Sequence, residues 1–263
     1  RHGRDGDRRS GRIMGRVALL RVALIASVVL ALEALCQFKV IDKLTMQPPH
    51  QMVVDMWRIL SSGQLNAAIA KTFRNAAIAC ATAIVAGVSA AAILSRLTAL
   101  RRALDPLFAT YYAIPIFAFY PLLIIVLGLG DAPQIIIAFM LGVIAVVVNT
   151  LNGLDRVPTV LAKTARVQRL GSIETVWRIT LPGALPYMLT GFKLAVAYSL
   201  IGIIGAEFIM SRGGIGYEIA FAYDNFDNAT MYPLILLVLG AAITVNGLVS
   251  VWERRLLERR GRR

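Results

Sequence analysis

Long runs of apolar residues separated by short polar segments are the main pattern of this chain. A helix needs about 20 mostly apolar residues to cross the hydrocarbon core of a bilayer. Six stretches meet this condition, at residues 17–36, 76–95, 107–129, 132–151, 192–210 and 231–252. Membrane β-strands would be shorter, about 10 residues of alternating polarity. The pattern therefore predicts an all-α, polytopic membrane protein with six transmembrane helices.

The first apolar stretch has a second possible meaning. Arg16 and Arg21 stand at its start, as basic residues do in a signal peptide. The apolar run is longer than the usual core of about 7–15 residues, and no clear small-x-small cleavage site precedes the polar segment after Gln37. We therefore interpret 17–36 as a membrane anchor.

Lys and Arg residues concentrate on one side of the predicted bundle. They occur in the segments that an even number of spans places together, namely 1–16, 96–102, 152–185 and 253–263. The turn 128–133 has no Lys or Arg, and 211–230 has only Arg212. Because short cytoplasmic loops carry the excess of Lys and Arg, both termini are predicted to be cytoplasmic. The mixed segment 38–75 is expected to include a short amphipathic helix on the outer surface.

Composition agrees with this topology and excludes other classes. The chain is 57% hydrophobic and only 16% charged, whereas soluble domains carry about 25% charged residues. The net charge of +13 could suggest nucleic acid, but the basic residues flank apolar stretches and form no basic and aromatic face. The cysteines, Cys36 and Cys80, and the histidines, His2 and His50, lack metal-ligand spacing. We expect no nucleic-acid partner and no metal site.

The loop of residues 152–185 carries a helical pattern of its own. Pro158 suits a helix start, and apolar residues recur at helical spacing afterwards, at Ile173, Val176, Trp177 and Ile179. Leu181-Pro182 is predicted to end this helix, and Pro186 to lie near the first turn of the next. An amphipathic helix here would dock onto another protein or, alternatively, lie on lipid headgroups.

The same loop resembles the "EAA" loop of permeases from binding-protein-dependent ABC importers. The likeness rests on Lys163-Thr164-Ala165, Arg169-Leu170-Gly171 and Arg178 to Pro182, followed by Gly183 to Pro186. Lys163, Thr164 and Arg169 replace the usual Glu, Ala and Gly. In that family the loop helix is a coupling helix held by the ATPase subunit. The resemblance implies ATPase-coupling roles for Lys163, Thr164, Ala165, Arg169, Gly171, Val176, Trp177, Ile179, Leu181 and Pro182.

Further matches extend from about residue 70 to the end of the chain. They resemble the nitrate/sulfonate/taurine branch at Pro115, Ala118, Pro121-Leu122, Gly128, Gly130, Ala206-Glu207 and Ser211 to Tyr217. The resemblance implies a type I ABC importer permease fold in the bacterial inner membrane, lipid around it, and a separate solute-binding protein. It also implies a small substrate such as a sulfonate, taurine, nitrate or bicarbonate; some members of the branch take pyrimidine precursors of thiamine.

Several intramembrane residues are candidates for the translocation path or its gate. Pro115 and Pro121 would interrupt helical hydrogen bonding, which membranes tolerate beside protein or a water-filled cavity; a simple packing kink is equally open. Glu207 is an ionisable residue in an apolar span, which suggests function, at an outer gate or a docking surface. Asn149 could form interhelical hydrogen bonds. The glycines Gly213, Gly214 and Gly216 would permit a re-entrant gate or an ordinary loop.

The chain has no nucleotide chemistry of its own. It lacks the Gly-x-x-x-x-Gly-Lys-Ser/Thr phosphate loop, so ATP and Mg²⁺ would bind the partner ATPase, and no cofactor is expected in this chain. Two ATPase subunits would need two coupling helices, which predicts a homodimer. A stand-alone secondary transporter or channel is the main alternative, although no convincing internal repeat occurs. A membrane enzyme and a scaffolding or sensor protein are further alternatives.

Overall fold

The structure, a computed structural model, describes residues 3–42, 45–158, 160, 167–168 and 171–261. All regular secondary structure in these residues is helical. The α-helices are α1 (Gly3–Gln37), α2 (Pro49–Ser62), α3 (Asn66–Arg96), α4 (Thr98–Thr110), α5 (Tyr120–Leu127), α6 (Asp131–Asp155), α7 (Ser172–Thr175), α8 (Leu181–Ile209), α9 (Ile215–Asp224) and α10 (Asn228–Gly261). We name the end of the bundle near Asp155 and Leu181 the loop end, and the opposite end, near Asp131 and Ile209, the far end.

Helices α3, α6 and α8 form the core, where small residues allow very close approach. A Cβ atom on Gly202 of α8 would lie 2.5 Å from the Cα atom of Ala138 on α6. A Cβ atom on Gly87 of α3 would lie 2.6 Å from the Cβ atom of Val146. Small residues at the contacts between membrane helices maximise van der Waals packing where no hydrophobic driving force exists. Close packing between the helices at these glycines therefore stabilises the core.

The outer helices leave broad apolar surfaces uncovered. Only 6% of the most apolar window is buried in α1, and the same fraction in α10. Helix α10 packs against α2, α8 and α9, and α1 touches α2, where His50 Nδ1 lies 2.5 Å from Glu33 Oε1. Exposed apolar side chains along both long helices suit contact with lipid tails.

The predicted spans are confirmed, with one change of shape. Five of the described helices are long and apolar enough to cross a membrane, and a bent pair would be the sixth. That pair occupies the predicted stretch 107–129, where residues 98–113 and 116–127 meet at 89°. Helix α2 lies within the mixed segment 38–75 for which a short helix was predicted. Helix α9 was not predicted, and α10 continues through the basic segment as far as Gly261.

Candidate functional site

The third span is broken in its middle. Helix α4 ends at Thr110, and two short 3₁₀ turns, Tyr111–Ala113 and Ile116–Phe119, replace α-helix before α5 begins. Two tyrosines attach this break to the core: the Tyr111 hydroxyl donates to the Met140 carbonyl at 2.9 Å, and the Tyr120 hydroxyl donates to the Met210 carbonyl at 2.6 Å. The broken segment is thus fixed to α6 and to the end of α8.

The two prolines of this span have different positions. Pro115 lies at the break itself, between the two 3₁₀ turns, as predicted for a residue that interrupts helical hydrogen bonding. Pro121 was expected to interrupt the helix too, and this is wrong. It is in the first turn of α5, where a backbone N–H has no intrahelical partner and proline is tolerated.

Glu207 is fully buried, with 0% of its surface exposed. The Thr72 hydroxyl of α3 lies 2.9 and 2.8 Å from its two carboxyl oxygens, and the Gly216 N–H donates to Oε2 at 3.0 Å. Thr72 Oγ1 also accepts the Ile215 N–H at 2.8 Å. Buried charges in proteins are expected to be hydrogen-bonded in this way. We name Thr72, Glu207, Ile215 and Gly216 the far-end latch, because they join α3, α8 and α9.

The glycines at the start of α9 make the latch possible. Gly214 has φ of 110°, and a Cβ atom there would lie 2.2 Å from the Glu207 carboxyl carbon. A Cβ atom on Gly216 would lie 2.4 Å from the Ile204 carbonyl oxygen. The predicted re-entrant segment is therefore a tight turn followed by the ten-residue helix α9. Because Glu207 is enclosed, it does not reach the surface where a binding protein could dock.

Charged residues surround the latch at the far end. Lys71 lies 3.2 Å from Asp131, the first residue of α6, and Arg74 pairs with the same carboxylate. Gln134 donates to the Ser211 hydroxyl at 2.8 Å, and Ser211 donates to the Gly213 carbonyl at 2.8 Å. The ion pairs thus join α3 to α6, and Gln134 holds the glycine turn against α6.

Two further polar residues of the spans, Lys193 and Asn149, are also hydrogen-bonded. The Lys193 Nζ atom of α8 donates to Glu253 of α10 at 2.8 Å. Asn149 was expected to bond between helices, whereas its amide donates to the Ala145 carbonyl of its own helix at 2.8 Å. Its Cβ atom faces Gly191 of α8, where a Cβ atom would lie 3.0 Å away. Asn149 therefore lies at a close contact between α6 and α8.

The loop end carries the predicted coupling segment. Its residues from Ser172 onward are helical and join α8 without a stop, through a π-helical turn at Val176–Thr180. The prediction that Leu181-Pro182 ends the helix is wrong. The Leu181 N–H donates to the Val176 carbonyl, one residue further back than in an α-helix. This wider turn accommodates Pro182, which cannot donate and which crowds the preceding turn of an ordinary α-helix.

Part of the predicted coupling set lies outside the described residues, namely Lys163, Thr164, Ala165 and Arg169. Gly171 is exposed, and Val176, Ile179, Leu181 and Pro182 are partly buried. Trp177 lies in the π-helical turn. An ion pair between Glu174 and Arg178, at 3.1 Å, spans the start of this turn.

The predicted residues therefore form three separate groups, two of which are connected by one helix, α8. Pro115 belongs to the broken span, Glu207, Gly214 and Gly216 to the far-end latch, and Val176 to Pro182 to the loop end. Sequence reasoning missed Thr72, Tyr111 and Tyr120, because a single hydroxyl in an apolar stretch carries no periodic signal. The continuous helical path from Ser172 to Ile209 can transmit a displacement from one end of the bundle to the other.

Residues 83–263 match the family described as the inner membrane component of binding-protein-dependent transport systems. The nitrate import permease protein NrtB of Leptolyngbya laminosa is 26% identical over 189 residues, which cover 72% of this chain and 68% of that protein. The bicarbonate transport system permease protein CmpB of Synechococcus elongatus is 30% identical over 158 residues, which cover 60% and 56%. The taurine transport system permease protein TauC of Escherichia coli is 23% identical over 214 residues, which cover 80% and 78%.

A solved structure has the same fold. The inward-facing MetNI methionine ABC transporter superposes with a TM-score of 0.62 at 17% identity, over 74% of this chain and 94% of that one. At this identity the likeness concerns the fold alone, and the family match covers well over half of the chain. The chain therefore belongs to the family of inner-membrane components of binding-protein-dependent transport systems, and it has the fold of an ABC importer permease.

Proposed function

We propose that this permease imports a small oxyanion, such as nitrate, bicarbonate or a sulfonate, with energy from a separate ATPase that binds its loop 159–182. Two copies of the chain would enclose the path, and a solute-binding protein would deliver the anion at the far end. The loop end and both termini would then be cytoplasmic, in agreement with the distribution of Lys and Arg. ATP and Mg²⁺ would bind only the ATPase.

The observation that carries the proposal is the continuous helical connection from Ser172 to Ile209. At a rise of about 1.5 Å per residue, this path is about 55 Å long, enough to cross the whole bilayer. One end belongs to the segment that resembles a coupling helix, and the other carries Glu207 of the far-end latch. Motion of an ATPase at the loop end would therefore move the far end as a rigid body.

The choice of a small anion is supported by the relatives rather than by a pocket. Nitrate, bicarbonate and taurine are the substrates named for three of the matched permeases. Each of these solutes carries a planar or tetrahedral oxyanion group. Three basic residues of α3 and α8 are neutralised in the part of the chain that the structure describes: Lys193 pairs with Glu253, and Lys71 and Arg74 pair with Asp131. A path that does not expose these cations would let an anion leave as readily as it enters.

The proposal is tested by co-purification of the tagged chain from its native membranes in mild detergent. The test variant replaces Val176, Trp177 and Ile179 with Asp, which places charge on the apolar positions of the predicted coupling segment. Leu97→Asp is the matched control, because Leu97 is an exposed apolar residue at the loop end, between α3 and α4. We expect an ATPase subunit to accompany the native chain and the control, and to be lost from the triple variant.

Two results would contradict this function. If no ATPase accompanies the intact native chain, a stand-alone transporter or channel becomes the better interpretation. If the ATPase is retained by the triple variant, coupling does not depend on 176–179. Where the ATPase does accompany the native chain, the substrate is sought with the binding protein that co-purifies, by isothermal titration with nitrate, bicarbonate and taurine.

A further inference from the structure

Two tyrosine side chains face each other beside the broken span. The ring centroids of Tyr112 and Tyr198 are 5.8 Å apart, with a tilt of 36° between the ring planes. The Tyr111 ring packs edge-on against Tyr112, but its hydroxyl is used by the Met140 carbonyl. Within the part of the chain that the structure describes, the hydroxyls of Tyr112 and Tyr198 have no hydrogen-bond partner. Two phenolic donors are thus available at one place.

This pair lies inside the membrane-spanning bundle. Tyr111 contacts Met140, which follows Asp131 by nine residues and precedes Asp155 by fifteen. At about 1.5 Å per residue, Met140 is about 14 Å from the far end of α6 and about 22 Å from its loop end. Tyr198 is on the neighbouring stretch of α8, four residues before Gly202, which packs on Ala138. Water from either membrane surface does not reach this depth unless a passage exists.

The backbone beside the pair cannot face lipid. Tyr112 is 50% exposed and Ile114 is 43% exposed in the single chain, in the segment where 3₁₀ turns replace α-helix. Non-helical backbone at membrane depth is stable only when protein or a water-filled cavity covers it. Phenolic hydroxyls in hydrocarbon would likewise lack the hydrogen bonds that water supplies. This face is therefore covered by protein or lines an aqueous space, and the two hydroxyls without partners favour the aqueous space.

We propose that Tyr112 and Tyr198 line the translocation path and that their hydroxyls donate hydrogen bonds to a small oxyanion as it passes. The inference rests on the proposed function and adds the contact site. Neutral donors form charge-assisted hydrogen bonds with an anion without holding it as a cation would. The nearest cation on α8, Lys193, is about 8 Å further towards the loop end and is paired with Glu253.

The first experiment measures anion uptake per ATP hydrolysed, in proteoliposomes that contain the permease, its co-purified ATPase and its binding protein. The labelled probes are nitrate, bicarbonate and taurine. We expect a decrease of about threefold for Tyr112→Phe or Tyr198→Phe and of tenfold or more for the double variant. Each replacement keeps the ring and removes only the donor. Tyr223→Phe, in which an exposed phenol of α9 is changed, should leave the ratio unaltered.

The second experiment tests the aqueous passage without a substrate. Single cysteines replace Tyr112 or Tyr198 in a chain whose own Cys36 and Cys80 are changed to Ala. The reagent is the charged thiosulfonate 2-sulfonatoethyl methanethiosulfonate, applied with and without ATP. We expect both positions to react at least tenfold faster than Ile243→Cys, on the exposed apolar side of α10. Size-exclusion profiles of each variant check that the complex is intact.

The outcomes separate the inference from the function. If the native complex takes up an anion and the double Phe variant does so equally well per ATP, the tyrosines do not contact the substrate. If the native complex takes up none of the three probes, the proposed substrate class is wrong, while the cysteine reactions still decide where the passage lies. Reaction at residues 112 and 198 no faster than at 243 would overturn the proposed lining.

Discussion

The far-end latch gives the sharpest test of how this fold is held together. Thr72→Val keeps the shape of the side chain but removes its hydroxyl. The Glu207 carboxylate then loses one donor, and the Ile215 N–H loses its acceptor. Thr72 and Glu207 are both 0% exposed, so water cannot replace these hydrogen bonds while the latch residues stay packed together. Only the Gly216 N–H would remain on Glu207 among the contacts described above.

The size of the effect follows from these two losses. A hydrogen bond to a charged group contributes about 1.5–3 kcal/mol, and an ordinary one about 1 kcal/mol. We therefore expect the closed latch to be destabilised by about 2–4 kcal/mol. A change of about 1.4 kcal/mol is tenfold in an equilibrium constant, so the amides of the latch should open at least about 30-fold more often. The change should be local, because α9 is a short helix whose opening leaves the core of α3, α6 and α8 intact.

The assay is hydrogen–deuterium exchange, followed by mass spectrometry on peptides that cover residues 211–224. Exchange of the Ile215 and Gly216 amides should be at least about 30-fold faster in Thr72→Val and close to native in Thr72→Ser, which restores the hydroxyl. Thr82→Val is the matched control, because Thr82 lies exposed on the same helix and bonds only carbonyls of α3. Equal exchange rates in the native chain and in Thr72→Val would refute the view that this hydroxyl holds the turn.

The remaining predictions concern the core, an ion pair and the broken span. Gly202→Leu should lower the melting temperature in detergent strongly through overpacking, whereas Gly240→Leu, where an added Cβ atom meets nothing within 4 Å, should not. Lys193→Met and Glu253→Gln should each destabilise the chain, with a double-mutant-cycle coupling of about 1 kcal/mol; additive effects would show that the pair contributes nothing. Tyr120→Phe removes one buried hydrogen bond and should cost about 1 kcal/mol in unfolding free energy, with unchanged stability as the contrary result.

Much of the architecture could be predicted because apolar length and charge asymmetry act locally. The stretches 76–95, 132–151 and 231–252 each fall within one long helix, and 192–210 does so up to Ile209, since a bilayer core demands about 20 apolar residues whatever the tertiary contacts are. Helix ends were less predictable. Helix α3 begins ten residues earlier than its apolar stretch, at Asn66, because Lys71 and Arg74 are compensated by Asp131 of another helix.

The proline positions show why local rules fail at the loop end and in the third span. Proline prevents an ordinary hydrogen bond, so the sequence predicts an interruption near Pro115, Pro121 and Pro182 alike. Of these three prolines, only Pro115 lies at an interruption of the helix. Pro121 lies in the first turn of α5, and the helix continues through Pro182 after a π-helical turn. Which of these outcomes occurs depends on the contacts between the segment and neighbouring helices. Here these contacts include the hydrogen bonds that Tyr111 and Tyr120 donate.

By itself, the sequence determined that this is a helical membrane protein of the importer permease type, because hydrophobic length and loop motifs are properties of contiguous residues. Only the tertiary structure decided that Glu207 is enclosed by Thr72 and the turn before α9, and that Tyr112 meets Tyr198. Thr72 and Glu207 are 135 residues apart. Contacts over such distances depend on how closely the small residues of α3, α6 and α8 let the helices approach, and that geometry cannot be read from any single segment.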